Sequence, residues 1–339
     1  MGISKYFRAF TYTAAATVAG GALAVEPPVL PDAADYLVQH GMDKDSARSF
    51  VRAAAETDQV KMLTSDNMGQ VMIALRMAAA EKGPAFVETA RMIMYTQRDS
   101  GNSPYAIPIQ DPAVRQFLQA DCLVKTAEDP FSAKDMLGQM LQSPASTIEN
   151  SILTDDELAV VLIGHEASHC APRNVSAHAT MHEVDADQHL AELPSYKPLQ
   201  KDTTQKLALV RAMADMCNRS GYVPTAHSTG LFLDAKARGG KDLTWEEVSP
   251  VYGELLPLLK AFRDAQGKDK MNAVPCFVAT AAAYKTFLTD QLGRFAPLTR
   301  HYMDMTINGV EMIAPQALQS AVEKFSGKPQ KLALNPATN

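Results

Sequence analysis

The sequence predicts a mainly helical protein, with α+β as the alternative fold class. Between its turn segments the chain carries apolar residues at helical spacing, and it has few runs of β-branched residues. Its 339 residues are 46% hydrophobic and 21% charged, which is typical of a globular protein with a sizeable core. The formal net charge of -6 disfavours nucleic acid or an anionic membrane surface as the main partner.

The first 24 residues have the features of a signal peptide. Lys5 and Arg8 form a short basic start, an uncharged alanine-rich segment follows, and Ala22-Leu23-Ala24 fits the small-x-small cleavage pattern. We therefore expect a periplasmic or secreted protein, with a first helix of the fold as the alternative for this segment. No later stretch approaches about 18 consecutive apolar residues, so we expect no membrane span in the mature chain.

The four cysteines are Cys122, Cys170, Cys217 and Cys276. Their even number permits two disulfides in an oxidising compartment, whereas unpaired buried thiols are the alternative. None of them is in C-x-x-C spacing, so a cysteine-built metal site or redox motif is not expected.

Clusters of Gly, Pro, Ser and Asp divide the rest of the chain. The run Tyr105–Gln110 follows one such cluster and is predicted to be a short extended segment. Pro108 would confine a strand there to a sheet edge, because proline has no N–H to give to a ladder. The predicted regions are an N-terminal helical region (25–104), a central region (105–236), a C-terminal helical region (241–326) and a flexible tail (327–339).

One helix in the central region is predicted from about residue 155 to residue 170. Thr154, with a glutamate three residues later, forms a capping box, and Pro172 would end the helix. Apolar residues recur at i, i+3 and i+4 along one side of it, and His165 and His169 continue that stripe. The two imidazoles are therefore expected to point inward.

His165-Glu166-Ala167-Ser168-His169 is an H-E-x-x-H pattern. Four helical residues complete just over one turn, so both imidazoles can bind one Zn²⁺ from the same face. Glu166 lies about 100° around the helix, beside the ion, where a base for a zinc-activated water is needed. The alternative is two core histidines with separate hydrogen bonds and a glutamate in an ion pair.

A second helix is predicted over Met181–Leu193, with Glu183 and Asp187 four residues apart on one face. Over the segment Thr154–Leu193 the sequence resembles the gluzincin metallopeptidases, in which a glutamate on the next helix completes H-E-x-x-H. The string E-V-D-A-D is similar to the E-x-E-A-D of prenyl-protein endopeptidase-like families. It is also similar to the E-x-E-A-N of small regulator-cleaving peptidases.

The resemblance implies a zincin-like catalytic core with two motif helices, which we expect in residues 105–236. The residue patterns themselves predict a small sheet with an edge strand, and extra helices at both ends of the chain. The resemblance also implies Glu183 as the third zinc ligand and Asp187 as a carboxylate that supports a zinc-binding histidine from behind. The sequence departs from these families at Asp185, where glutamate is usual. The membrane helices of the prenyl-endopeptidase group are absent, so that group's substrates are not carried over.

Other residues near Glu183 offer alternatives for the third ligand. His178, His182 and Asp185 are close enough in sequence to bind instead. Thr180-x-x-Glu183 could itself be a capping box, which would use the Glu183 carboxylate at a helix start.

The sequence therefore predicts a zinc-dependent endopeptidase that acts on a protein or peptide substrate. Glu166 would be the general base, and a further donor should stabilise the developing oxyanion. Tyr222, His227, His301 and Tyr302 are the candidates for that donor, and we favour His227. A strand around Ala106–Gln110 could hold an extended peptide antiparallel to itself.

The alternative function is a non-catalytic helical binding protein, or a degenerate peptidase whose motif only holds structure. Glu166 favours the enzyme, because a closed structural zinc site has four protein ligands and no use for a carboxylate beside the metal. A zinc hydrolase of a non-peptide amide is a third case. The substrate and the oligomeric state are not predicted.

Overall fold

The computed structural model describes residues 25–100, 103–126, 132–172, 179–193, 200–215, 217, 225–267, 273–291 and 293–325. It is mainly helical, at 69% helix, with 14 α-helices and a small three-stranded sheet in this part of the chain. The prediction of a mainly helical fold with a small sheet is confirmed. The predicted signal peptide (1–24) and tail (327–339) lie outside the described residues.

The first half of the chain contains all three strands. Its elements are α1 (Ala33–Gln39), α2 (Lys44–Ala55), β1 (Val60–Met62), α3 (Ser65–Lys82), α4 (Ala85–Ser100), β2 (Tyr105–Pro108), α5 (Pro112–Leu118), β3 (Cys122–Lys125), α6 (Ala133–Met140) and α7 (Asp155–Ser168).

The second half is helical wherever the structure describes regular elements. These are α8 (Ala179–Glu192), α9 (Gln200–Ala214), α10 (Gly230–Ala237), α11 (Trp245–Gln266), α12 (Cys276–Gln291), α13 (Pro297–Ile313) and α14 (Pro315–Phe325). Among the described residues, no helix is both long enough and apolar enough to cross a membrane.

The sheet has the order β1-β3-β2, with β1 parallel and β2 antiparallel to the central strand β3. Strand β2 contains Pro108 and lies at the edge, as the sequence predicted. The N–H of Ile109 continues the ladder by donating to the carbonyl of Asp121 at 2.9 Å. Along an antiparallel strand, residues whose N–H and C=O bond to the neighbouring strand alternate with residues whose N–H and C=O point away from it. The main-chain groups of Ala106 and Pro108 therefore face away from β3.

The two faces of the sheet pack against different apolar clusters. On one face, Val60, Met62 and Val124 join a large cluster that includes α1, α2, α7 and the C-terminal helices. On the other face, Ile107 and Leu123 join a smaller cluster built mainly from α3, α4 and α5. Alternate side chains of one strand thus enter different cores, as the period of two requires.

Helix α7, which carries H-E-x-x-H, begins where the sequence predicts. Thr154 Oγ1 accepts the N–H of Glu157 at 3.1 Å, and Glu157 Oε2 accepts the N–H of Thr154 at 2.8 Å. The helix ends at Ser168, earlier than the predicted Cys170, and His169 is its C-cap in right-handed helical conformation. His169 therefore stays on the same side of the helix as His165.

Gly164 allows α7 to approach two other helices closely. A Cβ atom at this position would lie 2.4 Å from Leu190 Cδ1 on α8 and 2.7 Å from Phe50 Cζ on α2. Only glycine fits between these side chains without displacing them. The contact holds α8 directly against the turn of α7 that precedes His165.

Both cysteine pairs are disulfides, Cys122–Cys170 and Cys217–Cys276, and the described residues contain no free cysteine. The first joins the start of β3 to the residue after His169. The second joins the chain just after α9 to the start of α12. Two disulfides are typical of proteins from an oxidising compartment, which agrees with the expected location outside the cytosol.

Candidate metal centre

Helices α7 and α8 place three potential ligand atoms together. His165 Nε2 lies 3.0 Å from Glu183 Oε2 and 3.2 Å from His169 Nε2, and His169 Nε2 lies 3.6 Å from the same Glu183 oxygen. Four-coordinate zinc with bonds of about 2.0–2.1 Å separates neighbouring ligand atoms by roughly 3.3 Å. The three distances bracket that value, so this group could hold a metal ion.

Asp187 determines which nitrogen of His165 faces the group. Asp187 is fully buried, and its Oδ1 lies 2.7 Å from His165 Nδ1. A carboxylate only accepts hydrogen bonds, so the proton is on Nδ1, and in the neutral ring the lone pair is on Nε2. That lone pair faces a carboxylate oxygen and a second imidazole nitrogen, an arrangement that a cation stabilises.

A proton competes with a metal ion for the same lone pair. Burial alone would lower the pKa of His165, but the charge of Asp187 and the hydrogen bonds to Asp187 and Glu183 outweigh burial and raise this pKa to about 10. Burial likewise opposes ionisation of Glu183, but hydrogen bonds from His165, His169 and His227 hold its pKa well below the usual range. Glu183 is therefore a carboxylate, the form that binds a metal.

Glu166 lies beside the three ligand atoms and is buried, with 7% of its surface exposed. No hydrogen bond from the described residues engages its carboxylate. Burial raises the pKa of this carboxyl, an effect that the neighbouring histidines His165 and His169 partly offset. A buried carboxyl with a raised pKa, next to a group that could hold a metal ion, takes up a proton more readily than an exposed glutamate.

The structure also brings His227 to this site. Its Nδ1 lies 2.9 Å from Glu183 Oε2, its side chain is 54% exposed, and its ring centroid is 6.3 Å from that of His165. His227 is not one of the three converging ligands. Its exposed ring lies on the solvent side of the site.

The turn that carries His227 is anchored to the buried scaffold. Ser228 Oγ accepts the N–H of Thr225 at 2.8 Å, and the Thr225 carbonyl accepts the Thr180 hydroxyl at 3.4 Å. Thr229 Oγ1 donates to Asp187 Oδ2 at 2.7 Å. The hydroxyl of Thr180 thus contacts this turn, and the Glu183 carboxylate faces the histidines.

The other sequence candidates are placed elsewhere. His301 Nε2 contacts Asp234 Oδ2 at 2.7 Å, and the buried Tyr302 hydroxyl donates to the carbonyl of Ala212 at 3.2 Å. His182 lies on α8 outside the three-ligand group. Tyr222 and His178 lie outside the described residues.

Sequence reasoning missed two residues behind the site. Arg211 Nη2 donates to Asp187 Oδ1 at 3.2 Å from α9, and Thr229 contacts the other oxygen of that carboxylate. Burial would raise the pKa of Asp187, but the charges of Arg211 and His165 outweigh it and keep this pKa low. A single arginine on a helix has no sequence signal of this role, since the contact forms only in the folded protein.

Comparisons with protein-family models, characterised proteins and solved structures found no match to this chain. Within the described part of the chain, His165, His169 and Glu183 form the one group of three His, Cys, Asp or Glu side chains whose ligand atoms lie close enough to share a metal ion.

Proposed function

We propose that this protein is a zinc-dependent endopeptidase. One observation carries the proposal: two imidazole nitrogens and a carboxylate oxygen converge, with a buried glutamate beside them. Two nitrogens and one oxygen are the donor set of a catalytic zinc site, which keeps its fourth position for water or substrate. His169 and Glu183 are 26% and 16% exposed, against 4% for His165, so solvent reaches the group from their side.

His165, His169 and Glu183 would hold the zinc ion. Zinc bound in this way supplies a Lewis acid that makes water a nucleophile near neutral pH. The Glu166 carboxylate would accept a proton from the attacking water and deliver it to the nitrogen of the leaving amine. The low exposure of Glu166 supports this role, since burial raises the pKa of its carboxyl and makes it a better proton acceptor than an exposed glutamate.

His227 is proposed to stabilise the carbonyl oxygen of the substrate as that oxygen gains negative charge. Its Nδ1 contacts Glu183 Oε2 at 2.9 Å, which fixes one edge of the ring. The exposed side of the ring would then present Nε2 toward the substrate, and Nε2 would donate there when both ring nitrogens carry a proton. Anchoring of the adjacent Ser228 and Thr229 supports a fixed position for this donor.

A peptide substrate would bind along β2. Helix α7 packs under β3 and β2, and within the described residues no strand pairs with the outer edge of β2. Ala106 presents its N–H and C=O on that edge, and Pro108 presents a C=O without an N–H. An extended peptide antiparallel to β2 would therefore pair mainly at Ala106.

Zinc stoichiometry tests the proposal. We expect about one zinc per purified chain by elemental analysis. The zinc should be lost in Glu183→Ala and retained in Glu166→Gln, since of these two glutamates only Glu183 would be a ligand. Glu166→Gln then serves as the inactive control in a search for peptide cleavage. If the parent chain holds no zinc after reconstitution, the proposal of a zinc enzyme is wrong, and a helical binding protein is the function that remains. Zinc-loaded chain without hydrolysis of any peptide library would favour a degenerate peptidase.

A further inference from the structure

We propose that Arg211 is a positioning residue of the metal centre, and that it acts through Asp187. Its guanidinium supplies the countercharge of the Asp187 carboxylate, and its hydrogen bond to Oδ1 helps to hold that carboxylate against His165 Nδ1. The inference rests on the proposed function, because it requires that His165 is a metal ligand whose orientation affects metal binding. Arg211 makes no hydrogen bond to any of the three ligand side chains.

Asp187 is held on both of its oxygens. Oδ1 accepts from His165 Nδ1 at 2.7 Å and from Arg211 Nη2 at 3.2 Å, and Oδ2 accepts from Thr229 Oγ1 at 2.7 Å. The carboxylate is fully buried, so water cannot stabilise its charge. A His165 ring that binds metal is neutral, which leaves Arg211 as the permanent cation hydrogen-bonded to Asp187.

The C-terminal helices fix Arg211 in turn. It lies near the end of α9, where the Arg211 carbonyl accepts the N–H of Asp215 at 2.8 Å. Tyr252 on α11 donates to Asp215 Oδ2 at 3.1 Å, and Tyr302 on α13 donates to the carbonyl of Ala212 at 3.2 Å. These contacts from later helices fix the end of α9, from which the Arg211 side chain extends.

Arg211 is not placed where its own N–H groups are best satisfied. The side chain is 7% exposed, and its Nε is buried without a hydrogen-bond partner among the described residues. An unsatisfied donor is unfavourable, so general hydrogen bonding does not explain this position. The contact to Asp187 does, because the charge lies where the buried carboxylate needs it.

The consequence for the site concerns His165. An imidazole whose Nδ1–H is held by a fixed carboxylate presents Nε2 to the metal in one orientation. Without the guanidinium, Asp187 loses one of its two partners on Oδ1 and its permanent countercharge. Loss of such supporting contacts weakens metal binding by about 10- to 100-fold.

A double-mutant cycle tests this role. The zinc dissociation constants of the purified chain, Asp187→Asn, Arg211→Gln and the double variant are measured by competition with a chelator. Arg211→Lys tests rescue by a cation, and Arg238→Gln removes a guanidinium that contacts Asp234 elsewhere. The visible spectrum of the Co²⁺-loaded protein reports ligand geometry, which a purely structural role of Arg211 would leave unchanged.

We expect Arg211→Gln to weaken zinc binding by about 10- to 100-fold and to alter the Co²⁺ spectrum. Arg211→Lys should recover most of the affinity, and Arg238→Gln should equal the parent. The double variant should bind zinc as Asp187→Asn does, since Arg211 acts only through Asp187. If Arg211→Gln does not fold, the double variant still provides a test, because it lacks both charges of the pair. Its zinc affinity is then compared with that of Asp187→Asn.

Two results would overturn the inference. An Arg211→Gln protein with the zinc affinity and spectrum of the parent would make Arg211 a stability residue only. A double variant clearly weaker than Asp187→Asn would mean that Arg211 acts on the site by another route. A parent chain that binds no zinc would instead defeat the proposed function, and this inference with it.

Discussion

Two histidine–carboxylate clusters in this protein use the same side chains with a different balance of donors and acceptors. Between α10 and α13, Asp234 Oδ2 accepts from His301 Nε2 at 2.7 Å and from Arg238 Nη2 at 2.5 Å. Between α7 and α8, two imidazole nitrogens and a carboxylate oxygen face one another within 3.6 Å, and the ring proton of one of those histidines is already used by Asp187.

The difference lies in what each cluster still needs. The carboxylate of Asp234 has two donors, one of them an arginine, so the cluster is complete as an ion pair. The α7–α8 cluster has more lone pairs than donors, so it needs either protons or a cation at its centre. Counting donors thus separates a structural ion pair from a candidate metal site, although both contain His and a carboxylate.

The largest expected effect is loss of the metal. His169→Ala should abolish stoichiometric zinc binding because two ligands remain, whereas His301→Ala should leave about one zinc per chain. Elemental analysis after desalting measures both. Equal loss of zinc in the two variants would contradict the claim that only the α7–α8 cluster binds the metal.

Zinc should also stabilise the fold. At free zinc about 1,000 times the dissociation constant, binding to the native state adds about 4 kcal/mol to the free energy of unfolding. Thermal unfolding with zinc and with a chelator measures this difference. Glu183→Ala is the matched control, and a zinc-dependent shift that persists in it would place the ion at another site.

Close packing beside the site gives a smaller effect. Gly164→Ala should lower the free energy of unfolding by about 1–3 kcal/mol, because its Cβ would lie 2.4 Å from Leu190 Cδ1. Gly253→Ala on α11 is the control, since a Cβ there meets nothing within 4 Å. That change should stabilise the helix by up to about 1 kcal/mol.

Urea unfolding measures both glycine variants. Zinc affinity should fall in Gly164→Ala only, since α8 carries Glu183 and would have to move away from α7. A Gly164→Ala protein as stable as the parent would show that the contact between the helices adapts at no cost.

The smallest effect concerns the start of α7. Burial opposes ionisation of Glu157, but hydrogen bonds from the Thr154 N–H and from Lys206 outweigh it and lower its pKa. A carboxyl with a lowered folded-state pKa stabilises the fold above its unfolded-state pKa, and this contribution is lost as pH falls through the folded-state value. Glu157→Gln should therefore cost about 1 kcal/mol at pH near 7, and the difference from the parent should shrink in acid.

Urea unfolding at neutral and acid pH checks this expectation. The capping box of α11 gives the comparison, in which Glu247→Gln should cost less than Glu157→Gln because the Glu247 side chain is 40% exposed, against 15% for Glu157. A cost for Glu157→Gln that grows as pH falls would reverse the predicted sign.

Local patterns predicted much of the site. The capping box located the start of α7, and helical spacing placed His165 and His169 on one face. The resemblance to gluzincins selected Glu183 and Asp187, and the structure brings both to the histidines. The edge position of β2 followed from Pro108, since proline cannot join a central ladder.

Other features were beyond sequence reasoning. Strands β1 and β3 have three and four residues, too few for a period of two to stand out. The pairing of Cys122 with Cys170 could not be chosen, because four cysteines allow three connectivities. Arg211 and Thr229 reach Asp187 from distant segments, and nothing local marks either residue.

The sequence by itself determined which side chains are candidate metal ligands and which of them share a helix face, because the spacing within H-E-x-x-H and between Glu183 and Asp187 is a property of single helices. Only the tertiary structure decided which atoms converge, which proton His165 carries and which cation balances Asp187. These depend on distances between helices, set by close packing at Gly164 and by buried charges that must be neutralised where they lie.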